Sequence, residues 1–314
     1  MFYRCLLTMV SLGMCLGVSM GVSSSAKAND AWMLRDGLLI DPASGQVVYM
    51  RPTGGLESVN IADGSTAWES NAADRPMSLE SGEILSQVDT GEAGSMDLAR
   101  INSATGQVIG FESLTLPSQV VPNIDQQLGQ RFEYRPMGSA QVAWQFEQKT
   151  VSGMPAPEGE TPDLMMGAFE MSAAGVSDIA TPSAQVMAEL WKAPASAPPA
   201  PVAGVSGRQF LAVNNDHVLI SQTDSTADQK APYLWHIYTA TGERLLTTRS
   251  PLSYAPFVVV AGQLIFVTQP RTFFSESAKP DPQPLMLRAI SLATGETSWV
   301  RAIRDTQYIG PYPA

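Results

Sequence analysis

The sequence predicts an all-β fold, a single β-propeller of four-stranded antiparallel blades, and two observations predict it. The first is a repeated phrase. NIADGSTAW at residues 60–68 returns as ISLATGETSW at residues 290–299, and shorter copies, INSATG and IYTATG, stand at residues 101–106 and 237–242. The second is that short apolar runs alternate with Gly, Pro, Asn and Asp, which is typical of short antiparallel strands. Small sheets that repeat in this way indicate a closed array of units.

Five units are visible, and each is predicted as a meander of four strands joined by tight turns, where glycine supplies the positive φ that such turns need. The predicted strands are 37–41, 46–50, 56–61 and 65–69; 77–79, 84–88, 97–101 and 108–111; 131–137, 141–151, 165–171 and 176–179; 210–213, 217–222, 233–238 and 244–248; and 257–260, 264–268, 285–291 and 297–302. Five to seven blades are possible, because the long gap before the fourth unit has room for a sixth, with 185–190 as one of its strands. No convincing helix is predicted.

Two tryptophans are predicted to join neighbouring blades. Trp68 and Trp299 each stand four residues after a turn glycine, on the outer strand of their units. We expect each indole to pack into the next blade, where full burial is worth roughly 3 kcal/mol or more. The equivalent positions hold Gly110 and Leu246, so weaker joints are expected there.

Residues 1–28 are predicted to be a secretory signal peptide. Arg4 gives a basic start, residues 5–22 are almost free of polar groups, and Ala26 and Ala28 suit a signal peptidase. The alternative is a retained membrane anchor, although the apolar run is short for a bilayer span. We therefore expect an exported protein, periplasmic or extracellular, whose domain covers residues 29–314 and carries a Pro/Ala-rich loop at 193–204.

Charge and cysteine content narrow the classes of partner. Both cysteines lie in the predicted leader, so the exported domain would fold without disulfides. Removal of Arg4 and Lys27 leaves 17 basic side chains against 30 acidic ones, a net charge of −13. Such a surface disfavours nucleic acid and anionic membranes and is compatible with cationic partners or divalent ions.

The repeated phrase resembles the blade motif of the pyrroloquinoline-quinone-like (PQQ-like) β-propeller superfamily, an alanine–x–threonine–glycine-type turn followed by tryptophan. Residues 60–68 and 290–299 match in full, and residues 103–106 and 239–242 match in the turn. The resemblance implies a single propeller. It also implies one of two roles, because some members are quinone-dependent dehydrogenases and others are non-catalytic scaffolds.

This chain departs from the enzymatic branch of that superfamily. The alcohol dehydrogenases place their quinone against a disulfide of adjacent cysteines and are about twice as long, whereas this chain has no cysteine after its leader. No lipidation motif is present either, since Met14 precedes Cys15. We therefore expect the non-catalytic branch and no resident cofactor. Calcium stays possible, at Asp89 and Glu92 beside Gly91.

Several residues have side chains that could take part in catalysis or metal binding, but none is assigned a catalytic, cofactor-binding or metal-binding role. His217 and His236 fall on consecutive strands and could face each other across them, but no third ligand stands at a fixed spacing. Four aspartates lie near turns or strand ends, where such side chains usually accept hydrogen bonds from turn amides. They are Asp41, Asp63, Asp97 and Asp216.

The predicted function is therefore that of a non-catalytic binding or scaffold protein of the cell envelope, a monomer that holds a protein or small ligand on a propeller face. Loops 152–164 and 271–284 are expected to meet the partner, and residues 308–313 are either a packed tail or a recognition segment. The alternative is a propeller enzyme that acts on carbohydrates or alcohols through carboxylates in the central channel.

Overall fold

A computed structural model describes residues 31–125, 130–137, 141–148, 164–172, 175–191, 202, 204–224, 226, 231–268 and 285–304. The described residues form twenty-one strands and one helix. The first sheet contains β1 (Trp32–Arg35), β2 (Leu38–Asp41), β3 (Gln46–Met50), β4 (Leu56–Asn60) and β5 (Thr66–Ser70). The second contains β6 (Arg75–Glu80), β7 (Glu83–Val88), β8 (Ser95–Asn102) and β9 (Val108–Thr115).

The other three sheets have four strands each. The third contains β10 (Gln130–Pro136), β11 (Gln141–Gln148), β12 (Leu164–Ser172) and β13 (Gly175–Ile179). The helix α1 (Ala184–Trp191) follows it. The fourth contains β14 (Arg208–Leu211), β15 (His217–Thr223), β16 (Tyr233–Thr239) and β17 (Arg244–Ser250). The fifth contains β18 (Phe257–Val260), β19 (Gln263–Thr268), β20 (Leu285–Ser291) and β21 (Thr297–Ile303).

These sheets are the blades of a single β-propeller, as the sequence predicts. Each is an antiparallel meander in which sequence neighbours are also spatial neighbours. Shared hydrophobic clusters connect the blades in the order third, second, first, fifth and fourth. The contact between the first and fifth blades brings the two ends of the described chain together. Arg304 reinforces it by donating its backbone N–H to the carbonyl of Met50 over 2.9 Å.

Both predicted tryptophan joints are confirmed. Trp68 packs on Gly106 of the second blade and donates its indole N–H to the Ser103 carbonyl over 2.7 Å. Trp299 makes the same contact with the first blade, where its indole donates to the Ile61 carbonyl over 2.8 Å. A β-bulge lies just after each turn, and it sets the strand register in which each ring points at the next blade.

The turn glycines beneath the rings are required for two reasons. Gly106 and Gly64 both have a φ of +71°, in the left-handed region that glycine occupies without strain. A Cβ on Gly106 would also lie 2.6 Å from the Trp68 ring, and one on Gly64 would lie 2.4 Å from the Trp299 ring. The joint therefore needs a small residue on one blade and a large ring on the other.

Two of the other outer strands show what stands in place of tryptophan. Leu246 on β17 is buried and belongs to the cluster shared with the fifth blade, at 3.5 Å from a Cβ built on Gly295. Gly110 on β9 has no side chain, and among the described residues nothing lies within 4 Å of a Cβ built there. Neither position carries an indole, and the lower strength of these two joints stays a prediction.

Two predictions about secondary structure are wrong. Residues 185–190 form α1 and not a strand of a sixth blade, because Ser183 accepts hydrogen bonds that begin a helix and only Met187 of the helix is buried. The first blade also has a fifth strand, β1, that was not predicted. Its four residues are too short a run to show a strand period.

The leader, residues 193–201 of the Pro/Ala-rich loop, loop 271–284 and the tail 308–313 lie outside the described residues. So does loop 152–164 apart from its last residue, Leu164. In the described part of the chain, no helix has the length and apolar character that a membrane crossing requires.

The tryptophan joints should be the strongest single contributors to stability. Trp68→Ala and Trp299→Ala should each lower the free energy of unfolding by about 3–5 kcal/mol, because each leaves a cavity between blades. Leu246→Ala should cost less, since the smaller side chain buries less area and donates no hydrogen bond. Urea denaturation measures these differences. Phe111→Ala is the control and should change stability by less than about 0.5 kcal/mol, because its ring is exposed.

Candidate functional site

Strand β1 lies at one edge of the first blade and carries mostly apolar side chains. It pairs with β2, at the opposite end of the sheet from the outer strand β5. Leu34 is buried in the cluster that the first and fifth blades share. Met33 packs against both clusters of the second blade, one shared with the first blade and one with the third. One short strand therefore contributes to clusters that together include residues of four blades.

A buried ion pair holds the end of this strand in place. Asp36, in the turn after β1, accepts a hydrogen bond from Arg75 Nε over 3.0 Å, and its second oxygen pairs with Arg75 Nη2. The Arg75 side chain is fully buried. Burial alone would lower the pKa of Arg75, but the carboxylate of Asp36 reverses this and raises it. The charge therefore stays in place inside the protein.

The second and third blades complete the surroundings of that guanidinium. It lies over the Tyr134 ring at 4.3 Å from the centroid, and its Nη1 donates to Gln87 Oε1 over 3.3 Å. The Tyr134 hydroxyl donates to the carbonyl of Pro76 over 2.8 Å. Burial, and then the charge of Asp36, raise the pKa of Tyr134 well above its ordinary value. This network is structural, because it connects three blades and all its groups face inward.

The two histidines do not face each other, so that hypothesis is wrong. His217 on β15 stands opposite Thr239 on β16, whereas His236 on β16 stands opposite Ile220. Three residues therefore separate the histidines along the strand pair, and their side chains lie on opposite faces of the sheet. His236 Nδ1 instead contacts the Thr247 hydroxyl at 2.9 Å.

The four aspartates weighed for catalysis are not brought together. Asp41 accepts hydrogen bonds from the backbone of Ala43 and Ser44. Asp63 accepts the Ser65 amide and hydroxyl, and these two bonds lower its pKa. These two are turn-capping residues, as the sequence suggests. Asp216 is exposed at the turn before β15, and Asp97 lies on β8 of another blade.

Asp89 and Glu92 do not form a metal centre with other described residues. Glu92 is exposed. Partial burial and the neighbouring carboxylate of Asp74 raise the pKa of Asp89, and Arg304 opposes that rise. Within the described ranges no group of three or more His, Cys, Asp or Glu side chains has an arrangement that could hold a metal ion.

Glu133 is a buried carboxylate on β10, an inner strand, but it is held by its neighbours. It pairs with Arg131, and its Oε2 accepts hydrogen bonds from Gln145 Nε2 over 2.8 Å and from Trp191 Nε1 over 3.1 Å. The last bond connects α1 to the third blade. The role of Glu133 is therefore to anchor the helix.

The outer strand of the second blade is the unusual surface of the described molecule. Val108, Ile109 and Phe111 on β9 are 38%, 45% and 62% exposed. They account for three of the seven exposed large hydrophobic residues among those described. At the equivalent positions the first blade has Thr66, Ala67 and Glu69, and the fifth has Thr297, Ser298 and Val300. Among these three blades, only the second has a large apolar side chain at all three positions.

A groove of about 350 Å³ runs beside this strand. Its lining consists of Val88, Asp97, Phe111, Glu112 and Ser113. Asp97 and Glu112 have no cationic partner among the described residues, so the groove presents negative charge next to the exposed Phe111 ring. We call β9 and this groove the β9 surface. Exposed apolar patches beside polar groups mark interaction sites.

A second hollow, of about 580 Å³, lies on the fourth blade and is mostly polar. Arg208 and Tyr233 line it together with several serines, and the Arg208 guanidinium lies 5.5 Å from the centroid of Phe210. Phe210 in turn stacks on Tyr254, with their centroids 4.2 Å apart. Of the residues that line it, only Tyr233 is aromatic or aliphatic, so it is a weaker candidate than the β9 surface, where three apolar side chains are exposed on one strand.

No protein-family model and no curated protein matches the sequence. Solved structures that match include BamB from Moraxella catarrhalis, a europium-containing methanol dehydrogenase and the β-propeller domain of Cps50 (Swd1) from Myceliophteria thermophila. Their identities to this chain are 12%, 11% and 10%, and the TM-scores are 0.25, 0.25 and 0.27. The matches cover 86%, 87% and 90% of this chain and 64%, 69% and 90% of those chains.

This chain therefore spans less than two thirds of the BamB structure that it matches. At these TM-scores the similarities support no conclusion about function. The propeller assignment depends on the five sheets and the way in which they pack.

Sequence reasoning missed the two features that matter most at these sites. Arg75 and Asp36 stand 39 residues apart, and nothing in the local pattern connects them. The β9 surface did leave a signal, because the second copy of the repeat carries Val108, Ile109 and Phe111 where the first has Thr66, Ala67 and Glu69. A comparison of the copies, position by position, would have found it.

Breaking the buried ion pair should be costly, and replacing both partners should not be. Arg75→Met should lower the free energy of unfolding by about 3–5 kcal/mol, because it leaves the Asp36 carboxylate without its guanidinium. The double variant Arg75→Met/Asp36→Leu should recover most of that loss. Chemical denaturation tests this, and a double variant no more stable than the single one would contradict the assignment.

Stability should also depend on the histidines below neutral pH. Burial lowers the pKa of His217 and of His236 from the ordinary 6.5. As the pH falls through 6.5, the unfolded chain therefore binds more protons than the folded one, and the free energy of unfolding decreases. Denaturation at pH 7.5 and pH 5.5 should show a smaller decrease for His217→Asn/His236→Asn than for the unmodified chain. An equal decrease in both would contradict this.

Proposed function

We infer that this chain is a non-catalytic propeller of the PQQ-like branch that binds a protein partner through the β9 surface. The observation that supports this best is the exposure of Val108, Ile109 and Phe111 on one strand. Exposing these side chains to water is unfavourable by roughly 25 cal/mol per Å² of apolar area relative to burying them. A partner that covers the strand removes that cost.

A rigid ring suits this role. Apolar contacts between blades and the buried network at Arg75 fix the position of every described strand relative to its neighbours. The surface that a partner meets is then preorganised, which reduces the entropy lost on binding. The two loops that the sequence suggested as contacts, 152–164 and 271–284, both connect the second and third strands of their blades. The strand ends that flank these two loops therefore lie on the same face of the ring. Contact between the loops and a partner stays a prediction.

Location and assembly belong to the same proposal. The leader features of residues 1–28 support export to the periplasm or the medium, and a net charge of −11 favours solubility and disfavours nucleic acid. We propose a monomer that acts in the cell envelope, with residues 29–314 as its folded domain.

The enzymatic alternative has less support. A glycosidase mechanism would need two carboxylates facing each other across an accessible channel. Here Met33 and Leu34 of β1 pack into apolar clusters, and the buried carboxylate Glu133 is held by its neighbours. These observations favour a binding role over catalysis at the channel.

Photocrosslinking tests the proposal. A photoreactive amino acid at position 111 should capture one defined protein from the cell envelope of the source organism. The same amino acid at position 69, the equivalent site of the first blade, should not capture it. Phe111→Ser should weaken co-purification of that protein at least about tenfold, the effect expected of a hot-spot residue.

Val213→Ser is the matched control. Val213 is 37% exposed but belongs to the fourth-blade region, so its replacement should leave co-purification unchanged. Capture from positions 69 and 111 alike, or no loss with Phe111→Ser, would refute docking on the β9 surface. Circular dichroism of each variant confirms that the fold is retained.

A further inference from the structure

We propose that the partner docks as an extended β-strand along the free edge of β9 and lays an aromatic side chain over Gly110. The partner strand would carry basic and apolar residues on its other side. This deepens the proposed function and depends on it, because it names the kind of segment that the β9 surface recognises.

The first step concerns the edge. β9 is the last strand of its sheet, in the order β6-β7-β8-β9, and its outward side forms no hydrogen-bonded ladder with a described strand, although β13 of the third blade packs near it. Edge strands present unpaired N–H and C=O groups, which are usually protected by charge or by short length. With eight residues, β9 is twice as long as the inner strand β18 or β14, and three of its five exposed positions, Val108, Ile109 and Phe111, are apolar. It is therefore suited to strand addition.

The second step concerns Gly110. It stands opposite Arg100 and occupies the position that Trp68 and Trp299 hold in their blades. Its backbone is not in the left-handed region, so its conformation does not require glycine. Nor does crowding require it, since no described atom lies within 4 Å of a Cβ built there. The space over Gly110 itself is therefore open, whereas the turn glycine of the next blade, Gly175, is covered by the Glu112 carboxylate at 3.0 Å from a Cβ built there.

The sides of the sheet determine which residues a partner strand would meet. Gly110 lies on the side of Leu98, which packs toward the third blade, and Phe111 lies on the side of Ala99, which packs toward the first. Residues of an added strand alternate between the same two sides. One of its side chains would therefore cover Gly110, and the next would reach Phe111. Cross-strand aromatic–glycine pairs of this kind stabilise sheets.

The third step concerns charge. Asp97 and Glu112 line the groove, and the whole chain carries a net charge of −11. A partner strand with lysine or arginine beside its apolar residues complements this field. A second copy of this chain does not, because it would bring equal negative charge to the same edge. The observations thus favour a basic, apolar strand of another protein.

A synthetic peptide tests the inference on the whole protein. The peptide Lys-Thr-Val-Trp-Val-Thr-Lys alternates so that Trp falls on the Gly110 side while Val and Lys fall on the Phe111 and Asp97 side. Fluorescence anisotropy of the labelled peptide should show saturable binding. Binding should weaken at least about tenfold when the peptide Trp is replaced by Gly, when its backbone amides are methylated, or when its Lys residues are replaced by Glu.

Variants of the protein test the same contact from the other side. Gly110→Trp should fill the space from within and weaken peptide binding at least about tenfold while it raises the melting temperature. Leu246→Trp is the matched control, since it places an indole at the equivalent position of the fourth blade, away from β9, and should leave binding unchanged. If Gly110→Trp fails to fold, Gly110→Leu serves in its place.

Two results would overturn the inference. One is no saturable binding of the Trp peptide, including the case in which the protein instead pairs with itself through β9 in sedimentation experiments. The other is that the unmodified protein binds the Trp, methylated and Glu peptides equally, or that the Trp peptide binds Gly110→Trp and the unmodified protein equally. Crosslinking from position 111 without peptide binding would refute only the proposal that the partner binds as an added strand. It would still support docking on the β9 surface. Peptide binding without crosslinking would refute the proposed function alone.

Discussion

The structure depends on one constraint, which is that a sheet with two apolar faces must be covered on both of them, as neighbouring blades cover the first, second and fifth blades. β18 and β19 show the reason, since all their residues but Val260 are buried, on both faces of the sheet. A sheet of this kind cannot remain in water alone. The constraint is hardest to satisfy at the outer strands, because the wedge-shaped gaps between blades widen there. The two tryptophans fill these gaps. The joint from Trp299 to Gly64 also brings the last and first blades together.

The β2 edge of the first blade presents the same problem in another form. There β1 adds a strand beside β2, and its residues Met33 and Leu34 pack into the apolar clusters that the blades share. The Asp36–Arg75 pair then fixes the end of that strand against the second and third blades. Charge is tolerated in this interior because each group of the pair is met by opposite charge or by a hydrogen-bonding neighbour.

The second blade departs from the pattern of the first and fifth blades. Where those two have a ring pointing into the next blade, it has Gly110, and where the first blade has Thr66, Ala67 and Glu69, it has Val108, Ile109 and Phe111. A joint that is weaker and a strand that is more apolar would both be liabilities in a molecule with only a structural role. Their coincidence on one edge strand is the reason for placing the interaction surface there and not at the axis.

How much of this followed from the sequence alone depends on the range of the interactions. Turn glycines, strand alternation and the Gly-to-Trp spacing are local features, so the four-strand units and the joints at Trp68 and Trp299 could be predicted. β1, with four residues, and α1, with eight, were too short to carry a readable period. The Asp36–Arg75 pair, the separation of His217 from His236 and the exposure of Phe111 were decided by tertiary structure. Each depends on which strands become neighbours and on which side of a blade faces another, and register and packing set these relations between segments distant in the chain.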